Sequence, residues 1–205
     1  MYKNVFKRIL DIFIATVLII FLLPIYIIIG IIIILNMGQP VIFKQVRIGK
    51  NEKKFIMYKF RTMKVTNNTI GQISEDKKRL TKLGIFLRST SLDELPELFN
   101  VLLGDMSIVG PRPFPDYYLS YYKYNERKRH NVKGGLIPCD GLLGRSDVTW
   151  EEQFQAELFY VDNVSFKLDL KIVYKTFSIL LQRAESDYGS IERPLLNEVR
   201  EKQHD

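Results

Sequence analysis

The sequence predicts an α+β fold, predominantly helical, in which a re-entrant membrane helix-break-helix (residues 1–39) precedes a cytosolic domain (40–183) and a polar C-terminal tail (184–205). Three observations carry this: an apolar run from Ile9 to Leu35 with Pro24 near its middle, two strand-like runs around a Gly-Lys-Asn-Glu turn, and periodic apolar segments towards the C-terminus.

The apolar run exceeds the ~20 residues a helix needs to cross a bilayer. Pro24 removes one backbone donor and clashes with the preceding turn, so a kink or break is expected there. The arm from Ile12 to Leu23 would then cover about 18 Å of roughly 30 Å of hydrocarbon. Lys3, Lys7 and Arg8 precede the run, and Lys44, Arg47, Lys50, Lys53 and Lys54 follow it. A single crossing would strand one cationic cluster on the wrong side, whereas a hairpin entering and leaving by one face keeps both in the cytoplasm. An ordinary spanning helix is the competing reading. A signal peptide fits less well, because the run is too long and no small-residue cleavage site follows.

Val41-Ile42-Phe43 and Phe55-Ile56-Met57-Tyr58 read as a short β-hairpin turning at Gly49–Glu52. Lys64 to Lys78 reads as a surface loop. Ser89-Thr90-Ser91 offers cap chemistry before a helix bearing Leu92, Leu95, Leu98, Phe99, Leu102 and Leu103, which Gly104 ends. Ile108 to Pro113 must be extended, because each proline biases its predecessor away from helix. The tyrosines from Tyr117 to Tyr124 fit either a membrane interface or a half-buried helix. Residues 130–147, with four glycines and Pro138, read as a long loop. Trp150–Val161 is helical and acidic. The last helix carries Phe166, Leu170, Val173, Phe177 and Leu180 on one stripe, which suits an interfacial amphipathic helix or a core-packing one. The chain from Ala184 onward reads as a loosely ordered tail.

A formal charge of +7 implies anionic company: lipid headgroups, nucleic acid or a phosphorylated substrate. Beyond net charge nothing supports nucleic acid. A single cysteine, Cys139, and two histidines exclude a disulfide framework and leave little room for histidine-based metal or triad chemistry. Neither G-x-G-x-x-G nor a Walker A loop is present, so a nucleotide would be held by side chains and helix termini.

Asp93-Glu94 is the leading candidate for chemistry. Ser91-x-x-Glu94 is also a capping-box pattern, and acidic residues suit a first helical turn, so a purely structural explanation competes. Arg112, bracketed by Pro111 and Pro113, offers a stiff guanidinium fork for phosphate. Lys59, Arg61, Arg88 and Arg145 add cations, each equally explicable as a surface charge. Asp105 is a further candidate, with a turn role after Gly104 as its alternative. Together these groups point to phosphoryl chemistry, with one carboxylate attacking phosphorus and another holding Mg²⁺.

Lys7-Arg8-x-x-Asp11, Pro24, Tyr58-Lys59-Phe60-Arg61-Thr62-Met63, Arg88-Ser89-x-Ser91-Leu92-Asp93-Glu94-Leu95-Pro96, Leu98-x-Asn100-Val101-Leu102-x-Gly104-Asp105-Met106-Ser107 and Val109-Gly110-Pro111-Arg112-Pro113 closely resemble the bacterial sugar transferase family, in its small monotopic phosphoglycosyl transferase form. The resemblance runs to about Arg183. It implies transfer of a sugar-1-phosphate from a UDP-sugar to undecaprenyl phosphate at the cytoplasmic face of the bacterial plasma membrane. UMP would leave and undecaprenyl-diphospho-sugar would form, the first membrane step of a surface glycan or glycoconjugate. It assigns nucleophilic attack to Asp93, Mg²⁺ to Glu94 and phosphate binding to Lys59, Arg88, Arg112 and Arg145. The re-entrant helix, with Lys7, Arg8, Asp11 and Pro24, is also a family trait. Membrane lipids, a second copy of the chain and downstream glycosyltransferases are the further partners expected.

Two departures stand out. Leu23 occupies the place of a usual serine, and Lys133-Gly134-Gly135-Leu136-Ile137-Pro138-Cys139-Asp140-Gly141-Leu142-Leu143-Gly144-Arg145 replaces the common R-P-G-[IL]-T-G-W-A-Q-V-x-G-R. Pro138 and Asp140 are therefore expected to alter sugar recognition. A plain glycosyltransferase, which would release UDP, and a non-catalytic membrane scaffold are the rival readings.

Overall fold

The computed structural model describes residues 2–64, 79–144, 148–183 and 194–201. One helix, α1 (Lys7–Met37), precedes an antiparallel hairpin of β1 (Ile42–Ile48) and β2 (Lys54–Phe60). Then come α2 (Lys82–Ser89), a 3₁₀ turn at Leu92–Glu94, α3 (Glu97–Leu103) and β3 (Met106–Gly110). Two 3₁₀ stretches lead to β4 (Gly134–Pro138), followed by α4 (Trp150–Asp162), α5 (Phe166–Arg183) and the short α6 (Leu196–Val199).

Of the kink or break expected at Pro24, the break is absent: α1 is one continuous helix from Lys7 to Met37. The turns on either side keep their own hydrogen bonds and are packed against the rest of the protein. Asp11, Ala15, Leu18, Leu22, Tyr26, Ile29 and Ile33 recur at helical spacing and form one stripe facing the domain. The opposite face leaves Phe13, Ile20, Phe21 and Leu35 exposed, a surface that water would not tolerate at this size. The mean hydropathy of α1 reaches 3.3, long and apolar enough to cross a membrane.

Both ends of α1 are tied to the same domain. At the N-terminal end Lys7 pairs with Asp169 at 2.6 Å, Arg8 donates to the Val101 and Leu102 carbonyls closing α3, and buried Asp11 accepts from Ser107 Oγ and the Ile108 amide. In the middle, Tyr26 Oη donates to the Leu95 carbonyl at 2.6 Å. At the far end buried Arg61 donates to the Met37 and Gly38 carbonyls, satisfying acceptors that a helix C-terminus leaves open. Arg61 is thus a helix cap rather than a site cation.

The hairpin pairs Ile42 with Phe60 and Ile48 with Lys54, with β1 running five residues further towards the turn than the sequence indicated and β2 longer at both ends. Asn100, fully buried on α3, accepts from the Tyr58 amide and donates to the Ile56 carbonyl, knitting α3 to β2. The reading of 130–147 as one long loop is corrected: Gly134–Pro138 is a strand, parallel to β3 and in register from Met106↔Gly134 to Gly110↔Pro138. Glycine disguises it. A Cβ on Gly135 would fall 2.1 Å from the Gly110 amide nitrogen, so the close approach of the two backbones needs residues that carry little strand propensity.

The tail also differs from expectation. Leu196 is fully buried among Phe114, Tyr118, Trp150 and Phe154, and Arg200 pairs with Glu126 at 2.7 Å and Glu151 at 2.6 Å. Tyr118 and Tyr122 belong to this core rather than to a membrane interface. On α5, Phe166, Leu170 and Phe177 stay about half exposed, as an interfacial face would be.

Candidate active site

The capping-box explanation for Asp93-Glu94 fails in the structure. Ser91 makes no side-chain cap bond and sits in the left-handed region (φ 57°, ψ 16°), and α3 begins only at Glu97, after Pro96. The two carboxylates instead occupy a 3₁₀ turn of their own, entered through a conformation that costs a non-glycine residue energy.

Their surroundings are cationic. Lys59 Nζ lies 2.6 Å from Glu94 Oε1 and 3.1 Å from Glu97 Oε1, and Arg112 Nη2 lies 3.8 Å from the same Glu94 oxygen. Burial pushes the Asp93 carboxyl above its ordinary range, with Lys59 pulling back, Glu94 adding to the rise and Arg88 opposing it. Burial also pushes Glu94 up, but Arg112, Lys59 and Arg47 outweigh it and hold Glu94 below its usual value. Glu97, with burial dominant over the pull of Lys59 and with Glu94 beside it, is raised to about 7. Neighbouring carboxylates are thereby driven to different protonation behaviour, a pattern common at functional sites.

A cavity of about 450 Å³ opens beside this cluster. Lys59, Glu94, Glu97, Arg47 and Arg112 supply its charged lining, while Phe114, Tyr117, Tyr118 and Trp150 supply an aromatic one. The hairpin register explains the first set: Gln45, Arg47, Met57 and Lys59 alternate onto one face of β1 and β2. Arg112 is held from behind. Its carbonyl accepts from Arg129 at 2.5 Å, and Arg129 is buried, paired with Glu157 at 2.7 Å and stacked over the Phe114 ring.

Of the residues nominated from sequence, Lys59, Glu94, Arg112 and Pro138 line the cavity, and Asp93 sits beside Glu94 at 8% exposure. Arg88 donates to Thr62 Oγ1 at 3.1 Å and acts on Asp93 through its charge. Arg145 lies outside the described residues. Asp140 occupies the 3₁₀ stretch after β4, and the Asp105 amide closes the turn after α3 by donating to the Asn100 carbonyl. Lys7, Arg8 and Asp11 bond to protein groups, as given above. Arg47 and Glu97 were not nominated. Arg47 was visible only as one of several cations after the apolar run, and Glu97 only as an acid one helical turn beyond Glu94.

No cluster of three or more His, Cys, Asp or Glu side chains suited to a metal occurs among the described residues. The donor set therefore does not fit a metal caged by protein alone. It does fit Mg²⁺ bound by one or two carboxylates together with substrate phosphates.

The chain belongs to the bacterial sugar transferase family, whose model matches residues 2–183. It is 48% identical over 142 residues to the uncharacterized sugar transferase EpsL of Bacillus subtilis (strain 168), covering 69% of this chain and 70% of that protein. It is 40% identical over 182 residues to the UDP-glucose:undecaprenyl-phosphate glucose-1-phosphate transferase of Klebsiella pneumoniae, covering 84% of this chain. A UDP-N-acetylgalactosamine-undecaprenyl-phosphate N-acetylgalactosaminephosphotransferase of Aeromonas hydrophila is 35% identical over 184 residues, covering 85% of this chain. The match spans only 39% and 43% of these last two proteins.

Proposed function

We propose that the protein transfers a sugar-1-phosphate from a UDP-sugar to undecaprenyl phosphate. The observation that carries this reading is the pairing of a buried aspartate, in a turn no cap requires, with a cavity whose charged lining suits a diphosphate. The names of the Klebsiella and Aeromonas relatives supply the donor and acceptor classes.

In this mechanism an Asp93 oxygen attacks the β-phosphorus of the donor. The bond from that phosphorus to the bridging oxygen breaks, UMP leaves, and an aspartyl phosphosugar remains. A phosphate oxygen of undecaprenyl phosphate then attacks the same phosphorus and displaces the Asp93 carboxylate. Lys59 and Arg112 hold phosphate oxygens, the latter bidentately, while Lys59 and, more weakly, Arg88 favour the ionised form of Asp93 against its burial. Glu94, kept ionised by its cationic neighbours, would hold Mg²⁺. The bound ion would neutralise charge on the diphosphate.

A lipid acceptor requires the site to lie at a membrane surface, and the exposed apolar face of α1 provides the attachment. A straight crossing is hard to reconcile with hydrogen bonds from one domain to both ends of α1, at Arg8 and at Arg61. We therefore favour monotopic, re-entrant insertion, with the continuous helix bent at Pro24 and the domain on the cytoplasmic side, consistent with the cationic flanks.

The test is intact-protein mass spectrometry of the detergent-purified chain after incubation with Mg²⁺ and a panel of UDP-sugars, without acceptor. A mass gain of one phosphosugar, absent from Asp93→Asn, is expected. Release of UDP rather than UMP on adding acceptor would overturn the reading in favour of plain sugar transfer. No nucleotide release from any donor would favour a scaffold.

A further inference from the structure

The family match ends at Arg183, yet the cavity does not. Leu195, from the C-terminal segment 194–201, lines it together with Trp150, Phe114 and Tyr118. The segment is firmly docked. Leu196 is fully buried among those same aromatic rings. The Trp150 indole donates to the Pro194 carbonyl at 3.0 Å. Arg200 bridges Glu126 and Glu151 and lies over the Phe154 ring at 5.1 Å. Three independent contacts thus hold one short stretch of chain beside the site, and those of Leu196 and Pro194 also brace Phe114, Tyr118 and Trp150 of its wall.

We propose that the segment 194–201 is a specificity element of the donor site, with Leu195 packing against the sugar of the bound UDP-sugar. This rests on reading the cavity as the donor site. Phosphates belong at its charged lining, by Lys59, Arg112 and Glu94, so the aromatic and aliphatic lining receives a neutral ring. Two rings are attached to a UDP-sugar diphosphate, uracil and the sugar. The relatives named above share the uridine and differ in the sugar, glucose in one and N-acetylgalactosamine in the other. Leu195, among the described residues the one lining residue beyond the common family region, is placed to discriminate the part that varies. The other side of the cavity carries the same signature, because Leu136 and Pro138, in the stretch that departs from the family pattern, also line it. CH groups of a sugar face packing on an indole and a leucine fit this lining, and small differences in such a pocket translate into selectivity of about 10-fold or more.

The experiment compares the full chain with Leu195→Ala, Leu195→Phe and a chain ending at residue 193. It measures kcat/KM for UDP-glucose, UDP-galactose, UDP-N-acetylglucosamine and UDP-N-acetylgalactosamine, and the Ki of UMP. Melting temperature identifies any variant that has lost its fold, and because Leu195 is only partly buried its two substitutions are the folded comparison. The expected result is a change of about 10-fold in the ratio of kcat/KM between donors, with Ki for UMP moving less than about twofold. An unchanged donor ranking in both Leu195 variants overturns the proposal. A rise in Ki for UMP parallel to the loss with every donor also overturns it, since the segment would then serve the uridine. Failure of the unaltered chain to release UMP from any donor overturns the donor-site reading and this proposal with it, and appears before any substitution is made.

Discussion

Arg129 donates from Nη2 to the carbonyl oxygen of Arg112 at 2.5 Å, so a buried guanidinium holds the backbone of the one between the two prolines. Arg129 in turn is paired bidentately with Glu157, and neither side chain reaches solvent. The stiffness of Arg112 therefore comes from two sources, the fixed φ of its proline neighbours and this ion pair beneath it.

Removing one partner of such a pair leaves a buried charge uncompensated, which costs about 3–5 kcal/mol. Glu157→Ala is therefore expected to lower the melting temperature sharply. Glu157→Gln, which keeps shape and one acceptor, should lower it less. Thermal unfolding in detergent, followed by circular dichroism, checks the order, and equal melting of the two variants would refute the account.

Asp93→Asn preserves the shape of the buried carboxyl and removes its charge. If Asp93 is the nucleophile, UMP release falls by ~10³-fold or more and no phosphosugar adduct forms, while the fold is unaffected. Retention of more than a tenth of the rate would remove Asp93 from that role.

Glu97 supplies a pH-dependent stability whose sign follows from its raised pKa. Its ordinary value is 4.5 and its value in the fold is about 7. Between these the folded protein keeps a proton that the unfolded chain has released, so the stabilisation is fully present below 4.5 and is lost as pH rises through about 7. At ~1.4 kcal/mol per unit, the loss is on the order of 3 kcal/mol, the pull of Lys59 already included. Glu97→Gln cannot ionise. Its melting temperature should fall less than that of the unaltered protein between pH 5 and pH 8, and parallel curves would show that Glu97 does not titrate there.

How much of this was legible in advance depended on whether local chemistry or long-range contact decided the outcome. The hairpin and α4 follow from alternation and capping, and Thr149 with Glu152 forms the box that Ser91 with Glu94 does not. Both sequences have the pattern; only the first lacks a proline two residues later to end the run. Gly134-Gly135 hides β4, because its strand character comes from the approach of β3 rather than from its own side chains. Asp93 and Glu94 could be nominated as adjacent carboxylates and Arg112 from its two flanking prolines, while Lys59 gained its phosphate role only through the family resemblance. Arg47, Glu97 and Leu195 could not, since each joins the site through a strand register, a helix turn or a docked terminus that only folding brings together.

Re-entrant insertion makes a topological prediction that the single cysteine makes easy to test. Cys139 is fully buried, so it provides little background for a membrane-impermeant maleimide. Cysteines introduced at Lys3 and at Gln39 flank α1 on either side. If the helix crossed the bilayer, labelling of intact cells from outside would reach one of the two. If it enters and leaves by one face, both stay protected in intact cells and both react in inverted vesicles. The domain contacts favour the second result: Arg8 and Arg61 would need the same folded unit to reach both sides of about 30 Å of hydrocarbon for a crossing to occur. Labelling of exactly one site from outside would break that argument and require α1 to detach from the domain along half its length.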